Sequence, residues 1–483
     1  MRPEPTCFGS AFAARVRADP DAPFAEHAGH AVSRGEVMAT AATLARAFRA
    51  AETGPDDCVA LVCEDHLRAV EAMIALWSLG AAPMFLDIRQ PLGEILGAAE
   101  RAGAKRVWSD LRRLHAAPEI DALPPREAPV PGAAPLAFPD GRERPVCFAA
   151  SSGTTSVPVH TPRLHGPFLK RTEAASVLAG RAASTTLCCG GPAFGAILGM
   201  WLRCIVAGSL VISLPLFFRI EELDASLRDP RVKWAGLPPV LVRDLLRLHR
   251  HRDTARDGPA YPGLETLNNL GGPISPADLE AACERLCPRM RNTYSMTGVG
   301  MVSYVRGEEI ARRPGSVGKP PPEVRVRILD DAGRERPAGE TGEIHATGAG
   351  STREVATGDI GHLDDDEYLY VTGRGAQMAC RRGVSINLLA LERDILAHPA
   401  VRDCAAFAIP DDDGAGDAIA VAIESETERS ALVGWLRSTL AATRRPDLVW
   451  TGPSAPRTPS GKLALRILKD RANRGEEAGF ARL

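Results

Sequence analysis

The sequence predicts an α/β protein. A large N-terminal domain of mixed, largely parallel sheets flanked by helices is followed by a β-rich subdomain and a small α+β C-terminal domain. Three observations carry this reading. Between Val37 and Ser109, apolar segments of strand and helix length alternate, the signature of βαβ units. From about Arg313, turn signals at Asp330-Asp331-Ala332-Gly333 and Pro337-Ala338-Gly339 punctuate a strand-rich stretch. Beyond Gly373-Arg374, a helix, two strands and a helix follow within about 110 residues, enough for a domain of their own.

In order, residues 33–50 place Val37, Ala41, Leu44, Ala45 and Phe48 at helical spacing. Cys58–Cys63 is a short apolar strand, and Leu67–Leu79 a helix ended by Gly80. Pro83–Asp87 and Arg106–Ser109 are strands, separated by the helix Pro91–Ala102. Residues 116–145 turn rich in Pro, Gly, Ala and charge and read as a long surface connection. After Thr185–Cys189, the apolar block Ala196–Phe218 contains Arg203, Gly208 and Pro215. These interruptions favour a buried helix and strand over a membrane span. A helix over 237–249 leads into a basic, polar loop, 249–263. Leu267–Ser275 is a strand entering a Gly-Gly-Pro turn, and Arg291–Gly300 a strand end and loop. The C-terminal elements are Leu388–His398, Cys404–Ile409, Ala418–Ile423 and Glu428–Ala442.

Composition limits the function. The 58 Lys and Arg against 60 Asp and Glu give a net charge of -2, so no global field favours nucleic acid or an anionic membrane. The eleven cysteines show neither a CxxC pair nor zinc spacing and read as buried free thiols in a reducing cytoplasm. No signal peptide precedes the first helix.

The stretch Ser151-Ser152-Gly153-Thr154-Thr155 follows an apolar run and precedes Pro158. Hydroxyls and unencumbered amides of this kind donate to oxyanions, as in a polyphosphate cradle; the same composition also makes a plain turn. Further motifs follow in order: Gly271-Gly272-Pro273, Asn292-Thr293-Tyr294-Ser295-Met296-Thr297, Pro314-Gly315-Ser316-Val317-Gly318 and Gly339-Glu340-Thr341-Gly342-Glu343. Then come Thr357-Gly358-Asp359, Gly373-Arg374 and Pro456-Arg457-Thr458-Pro459-Ser460-Gly461-Lys462. With Met84–Asp87 upstream, this series resembles the adenylate-forming superfamily of acyl-CoA synthetases, nonribosomal-peptide adenylation domains and luciferases. Leu164-His165-Gly166 sits where that family starts a helix; a surface histidine is the competing reading.

The resemblance implies ATP-dependent activation of a carboxylic acid as an acyl-adenylate. Transfer to a thiol follows, either CoA or the phosphopantetheine of an acyl or peptidyl carrier protein, with ATP and Mg2+ required. It implies that Ser151, Ser152, Gly153, Thr154 and Thr155 hold the leaving phosphates. Thr297 touches the α-phosphate, Tyr294 packs on adenine, and Gly271 and Gly272 border it. Asp359 holds the ribose hydroxyls with Arg374 nearby, and Lys462 bridges carboxylate and α-phosphate. The competing readings are a turn aspartate, a core tyrosine and a solvated lysine. Residues 1–374 then form the domain that binds ATP and acid, and 375–483 a mobile domain bearing the catalytic lysine.

The chain departs from the family pattern at Ser156, Val159 and His160, which replace glycine, lysine and glycine. It departs again at Gly298, which replaces the magnesium-binding glutamate, and at Ala376 and Cys380 beyond the hinge. Magnesium would then be held mainly through the phosphates. Phe194-Gly195 occupies the acid-pocket position where amino-acid-activating relatives carry an aspartate. A buried ammonium without a partner is costly, which disfavours a standard α-amino acid. The alternative is a divergent member with weak adenylation that uses a preformed acyl-adenylate or serves as a binding partner in a biosynthetic pathway.

Overall fold

The computed structural model describes residues 5–27, 29–126, 136–150, 160–178, 184–296, 299–348, 353–374, 378–381, 384–411, 416–458, 462–474 and 479–482. The chain divides into two compact units, Met1–Ser152 with Val157–Leu237 and Gly263–Leu267, and Gly153–Ser156 with Pro238–Pro262 and Asn268–Leu483.

The first unit holds a six-stranded sheet in the order Ile120–Ala122, Arg106–Ser109, Cys58–Val62, Ala82–Phe85, Pro145–Ala150, His160–Leu164. All its pairings are parallel except the last. Every residue of Cys58–Val62 is buried, as a strand covered on both faces requires, and its CVALV sequence shows no alternation for that reason. A second sheet runs Val232–Leu237, Thr185–Cys188, Val211–Ser213, Pro23–His27 in parallel, with His30–Ser33 antiparallel at its edge. The helix Arg34–Ala50 opens on a capping box. Ser33 Oγ accepts from Glu36 N at 3.2 Å, and Glu36 Oε2 accepts from Ser33 N at 2.8 Å. The helix His66–Ser78 is buried along almost its whole length and mostly apolar, its Arg68 and Glu71 paired with each other at 2.9 Å, with Asp65 capping it through Leu67 N at 2.8 Å.

Two stretches of this unit differ from the sequence expectation. The 116–145 connection is not confined to the surface: Ile120–Ala122 joins the sheet edge, and Ile120 and Leu123 are buried. Its Pro, Gly and Ala content hid a three-residue strand too short to show a period. His165 does start a helix, His165–Leu178, but it is not a surface residue. Its ring lies buried 5.2 Å from Trp77, and Nδ1 accepts from Phe8 N at 3.3 Å. Burial lowers its pKa to about 3, so it is a neutral acceptor and part of the core.

The strand Thr266–Asn269, whose last two residues belong to the second unit, neighbours Met290–Met296, which pairs antiparallel with Gly300–Arg306. Four antiparallel strands follow in chain order: Arg325–Leu329, Gly342–Thr347, Glu354–Leu363 and Leu369–Arg374. Gly318 shows why its motif needs glycine. Its φ is 88°, and a Cβ there would lie 1.8 Å from Tyr304 O. The 249–263 stretch, read as a polar loop, buries Tyr261. Backbone bonds of 2.8 Å from Ala260 and Tyr261 to Arg285 and Leu286 hold it in place.

The hairpin Met378–Arg381 with Val384–Asn387 precedes a four-stranded sheet, Asp403–Pro410, Asp417–Glu424, Leu448–Gly452 and Ala481–Arg482. Period-two alternation splits the first of these strands between two cores. Cys404 and Ala406 meet the helices Leu388–Leu396 and Arg429–Thr439; Ala405, Phe407 and Ile409 meet Leu465–Asn473 and Phe480. Sequence reading recognised two of these helices and two of these strands. It missed Leu448–Gly452, a short apolar run, and Leu465–Asn473, whose polar residues mask the apolar spacing. All eleven cysteines are free thiols. Seven are buried, whereas Cys380, against expectation, is exposed on the hairpin.

Glu392, on the inner face of Leu388–Leu396, accepts from Ala406 N at 2.9 Å through Oε1, and burial pushes its pKa up to about 8. The folded state therefore keeps a proton that the unfolded chain has lost above pH 4.5, and this contribution declines as pH rises from 4.5 to 8. Glu392→Gln retains the acceptor without the charge. It is expected to be more stable than the parent by roughly 2 kcal/mol at pH 8, and near parity at pH 4.5. Urea denaturation at both pH values measures this, and an equal difference at the two would refute it.

Candidate functional site

Asp359 sits where the strand Glu354–Leu363 is irregular. Across from it the register with Gly342–Thr347 slips between Glu343 and His345, and Gly358 takes a φ of 71°. Thr357 Oγ1 donates to Ile344 O at 2.8 Å and accepts from Asp359 N at 3.0 Å. The extra length re-aims the next side chain, the usual consequence of a bulge. Asp359 is 3% exposed, and its Oδ2 accepts from the Tyr294 hydroxyl at 2.5 Å. Tyr294 packs its ring against the cluster of Val299, Val302 and Ile344. Arg374, fifteen residues on, is the cross-strand partner of Asp359; only its backbone is described. Residues from two separated motifs thus meet at one carboxylate, and a third motif lies opposite it in strand register.

The Gly271-Gly272 turn is bound to the strand that carries Tyr294. Asn269 Nδ2 donates to Gly272 O at 3.3 Å and to Asn292 Oδ1 at 2.8 Å. The Asn268 amide, in the orientation its neighbours require, donates to Thr293 Oγ1 at 2.8 Å. Asn268 and Asn269 are buried, and Asn269 Oδ1 has no partner among the described residues. Sequence reasoning missed this pair; the signal was two consecutive amides inside an apolar strand, Leu267-Asn268-Asn269-Leu270. A Cβ on Gly272 would meet Pro239 Cγ at 3.3 Å, so the turn rests on the first residue of the helix Pro239–Leu248.

Lys462 is exposed, and its backbone is clamped. Thr458 N donates to Lys462 O at 2.7 Å, Ala464 N to Pro456 O at 2.8 Å, and Arg457 bridges Leu463 in antiparallel fashion. These bonds tie 456–458 to 462–464. Ser151, Ser152, Gly153, Thr154, Thr155, Thr297 and the departures Ser156, Val159, Gly298 and Ala376 lie outside the described residues. His160 opens the strand His160–Leu164 opposite Ala150, and burial beside Arg101 lowers its pKa.

In the first unit, Phe194 precedes the helix Gly195–Ala207. Gly195 is exposed, with nothing within 4 Å of where a Cβ would stand. The missing aspartate is thus not enforced by crowding. Four residues earlier there is no such room: a Cβ on Gly191 would lie 3.2 Å from His66 Nε2. His66, also missed from sequence, is buried, 3.4 Å from Ser213 Oγ through Nδ1, and its pKa is lowered to about 4 by burial and by His27.

A cavity of about 620 Å³ opens at the carboxyl ends of Cys58–Val62, Ala82–Phe85 and Arg106–Ser109, the usual ligand edge of a parallel sheet. Arg89, Arg112, Arg113, Glu64 and Phe217 line it. Arg89 is held by Asp87 at 2.6 Å and Arg113 donates to Ile88 O at 3.0 Å, while Arg112 has no ion pair among the described residues. Phe217 is 65% exposed. Among the described residues, no group of three His, Cys, Asp or Glu is placed to hold a metal, and no helix is long and apolar enough to cross a membrane.

Residues 12–355 match the family model described as AMP-binding enzyme, and residues 390–462 match AMP-binding enzyme C-terminal domain. A feruloyl-CoA synthase of an Amycolatopsis species is 27% identical, covering 93% of this chain and 96% of that protein. A protein named Probable CoA ligase CCL9, of Humulus lupulus, is 27% identical over 57% of this chain and 56% of its own length. The structure of the o-succinylbenzoate coenzyme A synthetase of Bacillus subtilis with ATP and magnesium superposes with a TM-score of 0.78. It covers 95% of this chain and 99% of that one at 19% identity. With one family model spanning most of the chain and its C-terminal companion following in order, the chain belongs to the AMP-binding enzyme family.

Proposed function

We propose that the chain is an AMP-forming acid–thiol ligase acting on a carboxylic acid other than a standard α-amino acid. The carrying observation is the buried Asp359, paired across strands with Arg374 and bonded to Tyr294, whose strand is tied to the Gly271-Gly272 turn through Asn269. A fixed carboxylate of this kind accepts from both hydroxyls of a ribose. Asn269 Oδ1, a buried acceptor left open beside that turn, suits a site for a base that offers an exocyclic amino group.

In the first half-reaction a carboxylate oxygen of the acid attacks the α-phosphorus of ATP and pyrophosphate leaves, giving the acyl-adenylate. In the second, a thiol sulfur attacks the acyl carbon and gives up its proton, and AMP leaves. Charge builds on phosphate oxygens in the first step, so a preplaced cation lowers its barrier; Lys462 is the residue for this. Ser151–Thr155 and Thr297 complete the phosphate contacts by family position. Magnesium would be held mainly through the phosphates, since Gly298 stands at the acidic ligand position, and would supply charge neutralisation for the leaving pyrophosphate. Residues 1–374 carry the ATP and acid sites, and 375–483 the lysine. Eleven free thiols suit a reducing cytoplasm.

CoA is the acceptor this reading favours. The cavity edged by Arg89, Arg112, Arg113 and Phe217 offers guanidiniums for phosphates and an exposed ring for a base, which suits a phosphorylated nucleotide better than a folded carrier protein. The test is a panel of aryl, fatty and short acids with ATP, Mg2+ and either CoA or a phosphopantetheinylated carrier. AMP and acyl-CoA should form in equal amounts with at least one acid. Folded protein that releases no AMP with any acid would refute the ligase; a carrier preferred over CoA would refute the acceptor.

A further inference from the structure

Lys462 is a flexible point charge on an exposed loop, and the reaction assigned to it tolerates little misplacement. Something must hold the loop, and the second unit contains a chain of charges that ends on it. Arg457, five residues before Lys462, donates through Nη1 to Asp403 Oδ2 at 2.8 Å and through Nη2 to Glu424 Oε2 at 2.8 Å. Glu424 is buried, so its charge demands partners, and Arg402 Nη1 supplies the second at 3.2 Å from Oε1. The other oxygen of Asp403 accepts from Arg243 Nη2 at 3.0 Å. Arg243 belongs to the helix Pro239–Leu248, whose first residue supports the Gly271-Gly272 turn. The same helix grips this segment three more times. Arg243 Nε donates to Arg402 O at 2.9 Å, Arg247 Nη2 donates to Val401 O at 2.6 Å, and Arg402 Nη2 donates to Asp244 Oδ2 at 2.6 Å.

We propose that Arg457 and Asp403 are positioning residues for Lys462, and that Arg243 joins them to the helix beneath the Gly271-Gly272 turn. The proposal deepens the ligase reading and rests on its assignment of Lys462. One face of Asp403 takes the arginine of the lysine loop and the other takes the arginine of the helix. The carboxylate therefore sets the distance between the loop and the turn.

The test has two arms, one independent of activity. In amide hydrogen exchange, Arg457→Ala and Asp403→Asn should lower protection at Thr458 and Ala464 about tenfold while Phe407 and Val421 keep theirs. Arg457→Lys should restore part of it. In kinetics, Arg457→Ala should lower kcat for adenylate formation about tenfold, with KM for ATP changed less than about twofold, and should cost nothing further in a Lys462→Ala background. A generic loss of domain stability would move the core amides as well and would add to the Lys462→Ala defect. Unchanged protection at Thr458 in both variants, or full additivity with Lys462→Ala, overturns the proposal. If the parent forms no adenylate with any acid, the ligase reading fails while the exchange arm still decides whether Arg457 holds the loop. Should Arg457→Ala not fold, Asp403→Asn carries both measurements.

Discussion

Lys462→Ala is expected to slow acyl-adenylate formation about 10²- to 10³-fold, the loss typical of removing one preorganised charge from a developing oxyanion. The fold should not notice. The side chain is exposed, and the loop is closed by the backbone of residue 462 and by Thr458, neither of which the substitution removes. Denaturation midpoints should therefore stay within about 0.5 kcal/mol of the parent. KM for ATP should shift little, because a cation that acts as charge develops contributes to the transition state more than to the ground state. Lys462→Arg is not a conservative control: the guanidinium is broad and planar where the reaction calls for a compact ammonium, so it should recover only part of the rate. Pyrophosphate exchange with a turned-over acid measures all three. Parent-like exchange in Lys462→Ala would remove the residue from the chemistry.

The parts of this protein that were legible in the sequence are those where one segment carries its own signal. The helix Arg34–Ala50 displays its period and its capping box in consecutive residues, and Cys58–Val62 displays a doubly covered strand as an unbroken apolar run. Asp359, Tyr294 and Gly271 were legible as motif members. Their relation was not: the bulge at Thr357-Gly358 that turns Asp359 toward Tyr294 depends on register against the preceding strand, and Tyr294 itself lies far back in the chain. Buried polar residues were read poorly for the same reason. Asn269, His66 and His165 look like surface or turn residues one at a time. Each is tolerated inside because partners take up part of its hydrogen-bonding capacity, or because burial keeps the imidazole neutral. The arginines of the 243–457 network carry no signal of their own in the sequence, since an arginine's partner is invisible until the fold places an acid beside it.

Asp359→Ala should raise KM for ATP about 10- to 100-fold, as expected from losing hydrogen bonds to a charged acceptor worth about 1.5–3 kcal/mol. A second effect should accompany it. Tyr294 loses the acceptor of its hydroxyl and the protein should be destabilised by roughly 1–3 kcal/mol, the cost of leaving a part-buried donor unpaired. The two effects separate by substitution. Tyr294→Phe keeps the carboxylate and the ring packing against Val299 and Val302, and removes the hydroxyl that fixes the Oδ2 direction. It should cost ATP affinity no more than about fivefold, within the net worth of a single hydrogen bond. If Tyr294 works by orienting Asp359, the double variant Tyr294→Phe, Asp359→Ala should bind ATP no worse than Asp359→Ala alone, with a coupling energy of about 0.5–1 kcal/mol. Titration calorimetry with ATP gives the affinities, and urea denaturation gives the stabilities. Strict additivity would show that Tyr294 contacts the nucleotide on its own account. An Asp359→Ala variant that binds ATP like the parent would move the ribose away from this carboxylate altogether, and with it the chemical identity of the site.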